Sequence, residues 1–212
     1  TSASRGVSTC AACLDGSGGP WPHRSPRCSW AGWSHSPLAP ETQRAVFYGL
    51  GADGTVGANK SSIKVIADNT ELYAQGYFVY DSKKAGSMTI SHLRFGPKPI
   101  KGSYLISEAQ FVACHQERLM QTIDILKLAA PGATFLINCL EPATIWSRLP
   151  VHIKRRIVEK KLKVYAIDAY KVAREAGLGP RINTVMQTCY FHITNLLPGF
   201  MDLIKGAVQK SY

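Results

Sequence analysis

Four glycines and a lysine follow directly on an apolar run: Ala45-Val46-Phe47-Tyr48 leads into Gly49-Leu50-Gly51-Ala52-Asp53-Gly54-Thr55-Val56-Gly57-Ala58-Asn59-Lys60. The pattern reads as strand, tight turn and helix start. Glycines there let the backbone take positive φ and approach a ligand closely, and the amides that open the next helix offer partial positive charge to a phosphate. The spacing Gly49-x-Gly51-x-x-Gly54 satisfies the dinucleotide fingerprint, which also asks for an acidic residue about 20 positions on. Asp81, after Tyr77-Phe78-Val79-Tyr80, is the candidate and lies late. A P-loop needs Gly-Lys-Ser/Thr, whereas Asn59 precedes Lys60-Ser61. The competing reading is a strand-to-helix turn with no ligand. Against it stands Asp81-Ser82-Lys83-Lys84-Ala85-Gly86, two lysines and a hydroxyl that an α/β sheet would bring beside the first loop as the other half of an anion pocket.

Two cysteine patterns invite chemistry. Cys10-x-x-Cys13 with His23 and Cys28 has the outline of a zinc knuckle, but the surrounding composition argues against a metal. Cys114-His115 could suggest a nucleophile and its base. Adjacent side chains on a strand point to opposite faces, so a buried thiol beside a turn is the better reading. Cys114, Cys139 and Cys189 sit inside apolar runs and suit reduced, buried thiols.

The elements that must position these residues follow from periodicity. Ser61 to Tyr73 reads as a helix, Gln75 to Tyr80 as a strand and Met88 to Phe95 as a half-buried strand carrying His92 and Arg94, His92 reading as an ordinary core or surface histidine. Tyr104 to Ile106 and Phe111 to Cys114 form a further strand region, Glu117 to Ala130 a helix stopped by Pro131-Gly132, and Ala133 to Cys139 a buried strand ending in Asn138. Pro150 opens a basic helix, Lys163 to Ile167 is a strand, and Asp168 can cap a short helix that Gly177 and Gly179-Pro180 terminate. Arg181-Ile182-Asn183-Thr184 precedes a long apolar helix over Val185 to Leu197, with an arginine and an asparagine well placed for an anion. Repeated alternation predicts an α/β fold, a layered, mostly parallel or mixed sheet with flanking helices.

A chain of 212 residues, 45% hydrophobic, can bury one sizeable core. The first forty residues stand apart: they hold five of the twelve prolines and three of the four tryptophans, and no Lys, Glu, Ile, Phe or Tyr. We expect residues 1–40 to be disordered or foreign to the fold, and residues 41–212 to form the domain. The formal charge of +11 falls almost entirely in that domain, since the first forty residues contribute only +2. Such a balance favours phosphorylated or polyanionic partners. The densest cluster, Lys154-Arg155-Arg156 with Lys160, Lys161 and Lys163, alternates with aliphatic residues and lacks interleaved aromatics, so it reads as a solvated helix face and not a nucleic-acid surface. No run is long and apolar enough to span a membrane, and a cytoplasmic location is expected.

Taken together, these motifs, with Ser91-His92-Leu93-Arg94-Phe95-Gly96, Ile167-Asp168-Ala169-Tyr170-Lys171-Val172-Ala173 and Arg181-Ile182-Asn183-Thr184-Val185-Met186-Gln187-Thr188, resemble the gamma-type domain of pyruvate:ferredoxin (flavodoxin) oxidoreductases over essentially all of Gln43 to Tyr212. The resemblance implies one piece of a longer enzyme that decarboxylates pyruvate with thiamine diphosphate and Mg, passes electrons through iron-sulfur clusters to ferredoxin or flavodoxin, and releases acetyl-coenzyme A. This chain shows no ferredoxin-type cysteine run and no thiamine-binding segment, so it is expected to carry no cofactor, no metal and no catalytic residue of its own. The implied partners are coenzyme A and the remaining domains or subunits, with the electron acceptor reached through the complete enzyme. Carried over position by position, the coenzyme A residues are Asp53, Gly54 and Thr55, then Ser82, Lys83 and Lys84, then Arg181 and Asn183, with Arg94 and Asn138 beside them; Lys60, Lys84 and Arg181 are the cations. The alternative is a free-standing NAD(P)-binding oxidoreductase that uses Gly49, Gly51 and Gly54.

Overall fold

A computed structural model describes residues 41–51, 53–80, 87–179 and 181–196. The zinc-knuckle pattern, the first forty residues, Asp81 and Ser82-Lys83-Lys84 lie outside them. Six strands, β1 (Gln43–Leu50), β2 (Tyr73–Tyr80), β3 (Met88–Gly96), β4 (Ala109–Cys114), β5 (Ala129–Asn138) and β6 (Lys163–Ile167), form one sheet in the order β2-β3-β1-β4-β5-β6. β1, β4, β5 and β6 run parallel, while β3 is antiparallel to both β1 and β2. The sheet is therefore mixed, the second of the two forms anticipated.

The central runs Ala45 to Tyr48 and Phe111 to Cys114 are apolar because both of their faces are covered. Ala45, Phe47, Phe111, Ala113 and Leu136 point to one face, where they meet α1 (Thr55–Asn69), α4 (Ala169–Glu175) and α5 (Ile182–Thr194). Val46, Tyr48, Val112, Cys114, Phe135 and Ile137 point to the other, under α2 (Ile145–Arg148), α3 (Val151–Glu159) and residues 117–128. The first face is held by an aromatic cluster on α5: Tyr190 lies 4.8 Å from Phe111, 5.2 Å from Phe47 and 5.1 Å from Phe191, centroid to centroid. Among the described residues no helix is long and apolar enough to cross a membrane.

Two expectations are corrected. Residues 117–130 are not a helix: a 3-10 turn at Glu117–Gln121 gives way to further turns, and β5 begins at Ala129. Of the helical stripe read there, Leu119, Ile123, Leu126 and Ala130, the two leucines are buried all the same and the other two half-buried, so the periodicity reported burial and not helix. The carbonyls left open there are taken from outside, because the Lys160 ammonium donates to Leu126, Lys127 and Ala129 at 2.6–3.1 Å. Tyr104 to Ile106 is likewise no strand. Arg94 donates to the Tyr104 carbonyl and His92 Nδ1 accepts from the Ile106 amide at 3.3 Å, so this segment is stapled across β3. Elsewhere boundaries shift: α1 starts at Thr55 and stops before Leu72, and α5 starts at Ile182.

Candidate functional site

In open α/β sheets ligands bind beyond the carboxyl ends of the strands, where successive connections leave on opposite faces. Here that point lies between β1 and β4: α1 follows β1 on one face, and residues 117–128 follow β4 on the other. The glycine loop sits on it. The Gly51 amide donates to the Ser87 carbonyl at 2.9 Å, so Ser87, which opens into β3, stands beside the loop.

The loop is built around its own carboxylate. Asp53 accepts from the Leu50 amide at 2.7 Å, from the Thr55 amide at 2.9 Å and from Thr55 Oγ1 at 2.5 Å. Those amides are the donors a glycine loop would turn toward a phosphate, and here an internal anion holds them. Thr55 Oγ1 also lies 2.8 Å from His115 Nδ1. A hydroxyl has one proton, and the carboxylate can only accept it, so His115 must donate from Nδ1. Its Nε2 is then an unprotonated acceptor, buried and without a hydrogen-bond partner among the described residues. Burial holds the imidazole neutral, with its pKa pushed down to about 4 against the opposing pull of Asp53. Sequence reasoning set His115 beside a buried thiol and missed this chain of bonds, because nothing in spacing links Thr55 to a residue sixty positions away. The opposed orientation of its neighbour holds: Cys114 faces the other core, donates to the Gln116 carbonyl at 3.1 Å and has its thiol pushed up to about 12 by burial.

Two glycines permit this packing. A Cβ at Gly49 would overlap Thr55 Oγ1, and Gly54 has φ +77° with Asn183 Nδ2 only 2.9 Å from where its Cβ would stand. Gly57, inside α1, meets nothing. Gly49→Ala is therefore expected to cost about 1–3 kcal/mol by overpacking, and Gly57→Ala to gain about 0.5–1 kcal/mol from the unfolded chain's lost freedom. Urea denaturation of the two variants checks the pair; equal effects would mean the loop rearranges freely.

Of the residues anticipated for the site, Asp53, Gly54, Thr55 and Asn183 do come together. Asn183 Nδ2 reaches the Gly54 carbonyl at 3.4 Å, which brings the start of α5 against the start of α1, and Arg181 is the residue from which α5 begins. Neither helix carries an acidic residue in its first turn. Asn138 stands at the same end of the sheet but is spent on structure, donating to the His115 carbonyl at 3.0 Å and accepting from the Ala169 amide at 2.9 Å. Arg94 is not brought to the loop. It pairs in register with Arg44, while the loop follows Leu50, so it lies toward the opposite end of β1, bonded to Gln75 at 2.8 Å and to Tyr104. Lys60 stands over the Phe78 ring, 5.5 Å from its centroid. Gln116, which donates to Tyr170 Oη at 3.0 Å, is a further polar residue here that the sequence left unmarked.

The dinucleotide alternative is not supported. It requires the strand after the first helix to lie directly beside the first strand, whereas β3 separates β2 from β1.

Comparison with known proteins agrees with the residue pattern. The family model "Pyruvate ferredoxin/flavodoxin oxidoreductase" matches residues 44–212. A pyruvate-flavodoxin oxidoreductase of Nostoc sp. is 54% identical over 172 residues, covering 80% of this chain and 14% of that protein. Among solved structures, a pyruvate oxidoreductase subunit of Thermotoga maritima aligns over 81% of this chain and 86% of its own, with a TM-score of 0.61 at 14% identity. A 2-oxoglutarate:ferredoxin oxidoreductase of Magnetococcus marinus, solved with 2-oxoglutarate, coenzyme A and succinyl-CoA bound, aligns over 70% of this chain and 23% of its own, with a TM-score of 0.50 at 16% identity. These structural likenesses show the shared fold, and the chain spans about a seventh of the length of its curated relative. With a match across 169 of its residues and more than half of the aligned positions identical, the chain belongs to the pyruvate ferredoxin/flavodoxin oxidoreductase family.

Proposed function

We propose that residues 41–212 form the gamma-type domain of an enzyme that oxidatively decarboxylates pyruvate to acetyl-coenzyme A, and that this domain supplies part of the coenzyme A site. The observation that carries the reading is the meeting of the α1 and α5 starts through Asn183 and Gly54. The start of α5, with Arg181 at it and no acidic residue in its first turn, makes a place of positive potential beyond the parallel strands, while at α1 the Asp53 carboxylate already takes the Thr55 amide. The coenzyme A complex of the Magnetococcus relative supports the choice of ligand.

The geometry refines the roles. Asp53 and Thr55 order the loop from within, since the carboxylate already holds the Leu50 and Thr55 amides. The phosphates of coenzyme A are then met by Arg181 and Asn183 and not inside the loop, with Ser82, Lys83 and Lys84 carried over from the family resemblance alone. Thiamine diphosphate with Mg, and the iron-sulfur clusters that carry electrons to ferredoxin or flavodoxin, belong to the rest of the enzyme in this reading. The described residues gather no group of three or more His, Cys, Asp or Glu that could hold a metal.

Arg181→Ala in the complete enzyme is expected to raise KM for coenzyme A by roughly ten- to a hundredfold at little change in kcat, the effect of losing a charge-assisted hydrogen bond of about 1.5–3 kcal/mol. Lys154→Ala, on α3 and bonded to the Ser147 carbonyl, is the control expected to change it little. Calorimetric titration of the 212-residue chain with coenzyme A and with NADH tests the ligand directly. Binding of NADH without coenzyme A would overturn the reading.

A further inference from the structure

The two edges of the sheet are built differently. β6 is five residues long and carries Lys163 within it. Short length and lysines are devices that keep an exposed edge from pairing with another chain. β2 has neither. Its eight residues, Tyr73-Ala74-Gln75-Gly76-Tyr77-Phe78-Val79-Tyr80, include no charge and no proline, and among the described residues it pairs only with β3. Its outer row of backbone N–H and C=O groups is framed by Tyr73, Tyr77 and Tyr80, which are 44%, 49% and 56% exposed. Gly76 is no edge device either, because a Cβ there would overlap Ile63 of α1.

An unguarded edge of this length is a hazard in a domain that stands alone, and a binding device in one that does not. The Nostoc relative places about six-sevenths of its sequence outside the region this chain matches. We propose that β2 is the docking edge for an uncharged, extended strand supplied by another domain of the same longer enzyme, so that the sheet continues past β2 by strand addition. The inference rests on the reading of the chain as one domain of that enzyme. The chemistry of the occupant follows from the edge. With no charge on β2 there is no ion pair to make, so main-chain hydrogen bonds supply the attraction, and tyrosines bury their rings while keeping their hydroxyls wet. An eight-residue strand spans roughly 26 Å at about 3.3 Å per residue, room for a partner strand of similar length.

Hydrogen exchange tests this on the complete enzyme and on the 212-residue chain. The β2 amides that do not bond to β3 are expected to exchange at least a hundredfold more slowly in the complete enzyme than in the chain alone. Tyr77→Lys, at a half-exposed position in the middle of the edge, should reduce that protection at least tenfold in the complete enzyme. Tyr165→Lys on β6 should leave it unchanged. Equal exchange in the two proteins, in a preparation that still reduces a viologen dye with pyruvate and coenzyme A, would overturn the docking and leave the functional reading standing. A complete enzyme without that activity but with β2 protected would do the reverse. Protection in the chain alone, together with a dimer in sedimentation, would show a second copy on the edge and also overturn the proposal.

Discussion

Tyr190→Ala is expected to destabilise the domain by about 3–5 kcal/mol, the loss typical of deleting a buried aromatic and leaving a cavity that cannot close. Tyr190 is 1% exposed and its ring meets those of Phe47, Phe111 and Phe191 within 5.2 Å. It therefore ties α5 to β1 and β4, the two strands that flank the crevice. Because α5 also carries Asn183 to Gly54, on the proposed reading the variant should weaken coenzyme A binding as well as stability, whereas Tyr190→Phe keeps the rings together and should cost far less. Urea denaturation gives the first effect and titration the second. A Tyr190→Ala variant as stable as the parent would show that the α5 seat is held by something other than these rings.

Acid should unfold the domain earlier than ordinary carboxylate titration would. Burial pushes His115 and His92 down to about 4, with the Arg94 guanidinium adding to the effect at His92. An imidazole with a lower pKa folded than unfolded takes its proton preferentially in the unfolded chain. The stability is thus in place above pH 6.5 and is lost as pH falls toward 4. Between pH 6.5 and 5 each imidazole should remove about 1.5 kcal/mol, because the unfolded imidazole is only half protonated at pH 6.5 and the full 1.36 kcal/mol per pH unit applies only below it. Urea midpoints over that window check the slope, and replacing both residues by glutamine should flatten it. An unchanged midpoint down to pH 5 would mean that both imidazoles accept a proton inside the fold.

The elements that were legible are those whose local chemistry and tertiary role agree. β3 follows from alternation over Met88 to Phe95, β6 runs over Lys163 to Ile167 as anticipated, and Asp168 caps α4 by accepting from the Lys171 amide at 2.9 Å. Residues 117–130 were misread because a helical stripe and a buried loop can bury the same leucines, and only the distant Lys160 decides where the backbone carbonyls find their donors. The site divides in the same way. Glycines, Asp53 and Asn183 announce a turn and a helix start, and the fold brings them together. The bond from Thr55 to His115 crosses sixty positions, and the confinement of Arg94 to its own end of the sheet depends on strand order, which no local pattern encodes.

Strand order also sets a timetable for synthesis. Of the six strands described, β1 is made first and lies in the middle of the sheet, yet its parallel partner comes late: Ala45 pairs with Phe111, a separation of 111 − 45 = 66 residues. At about 5–20 residues per second the run Ala45-Val46-Phe47-Tyr48, buried on both faces in the finished domain, waits roughly 3–13 s for that neighbour. Its antiparallel partner β3 arrives sooner, so a β1-β3-β2 subsheet with α1 is the first assembly the described elements of this sheet can make. The strand bearing the glycine loop is therefore also the one that most needs shelter while the chain is being made.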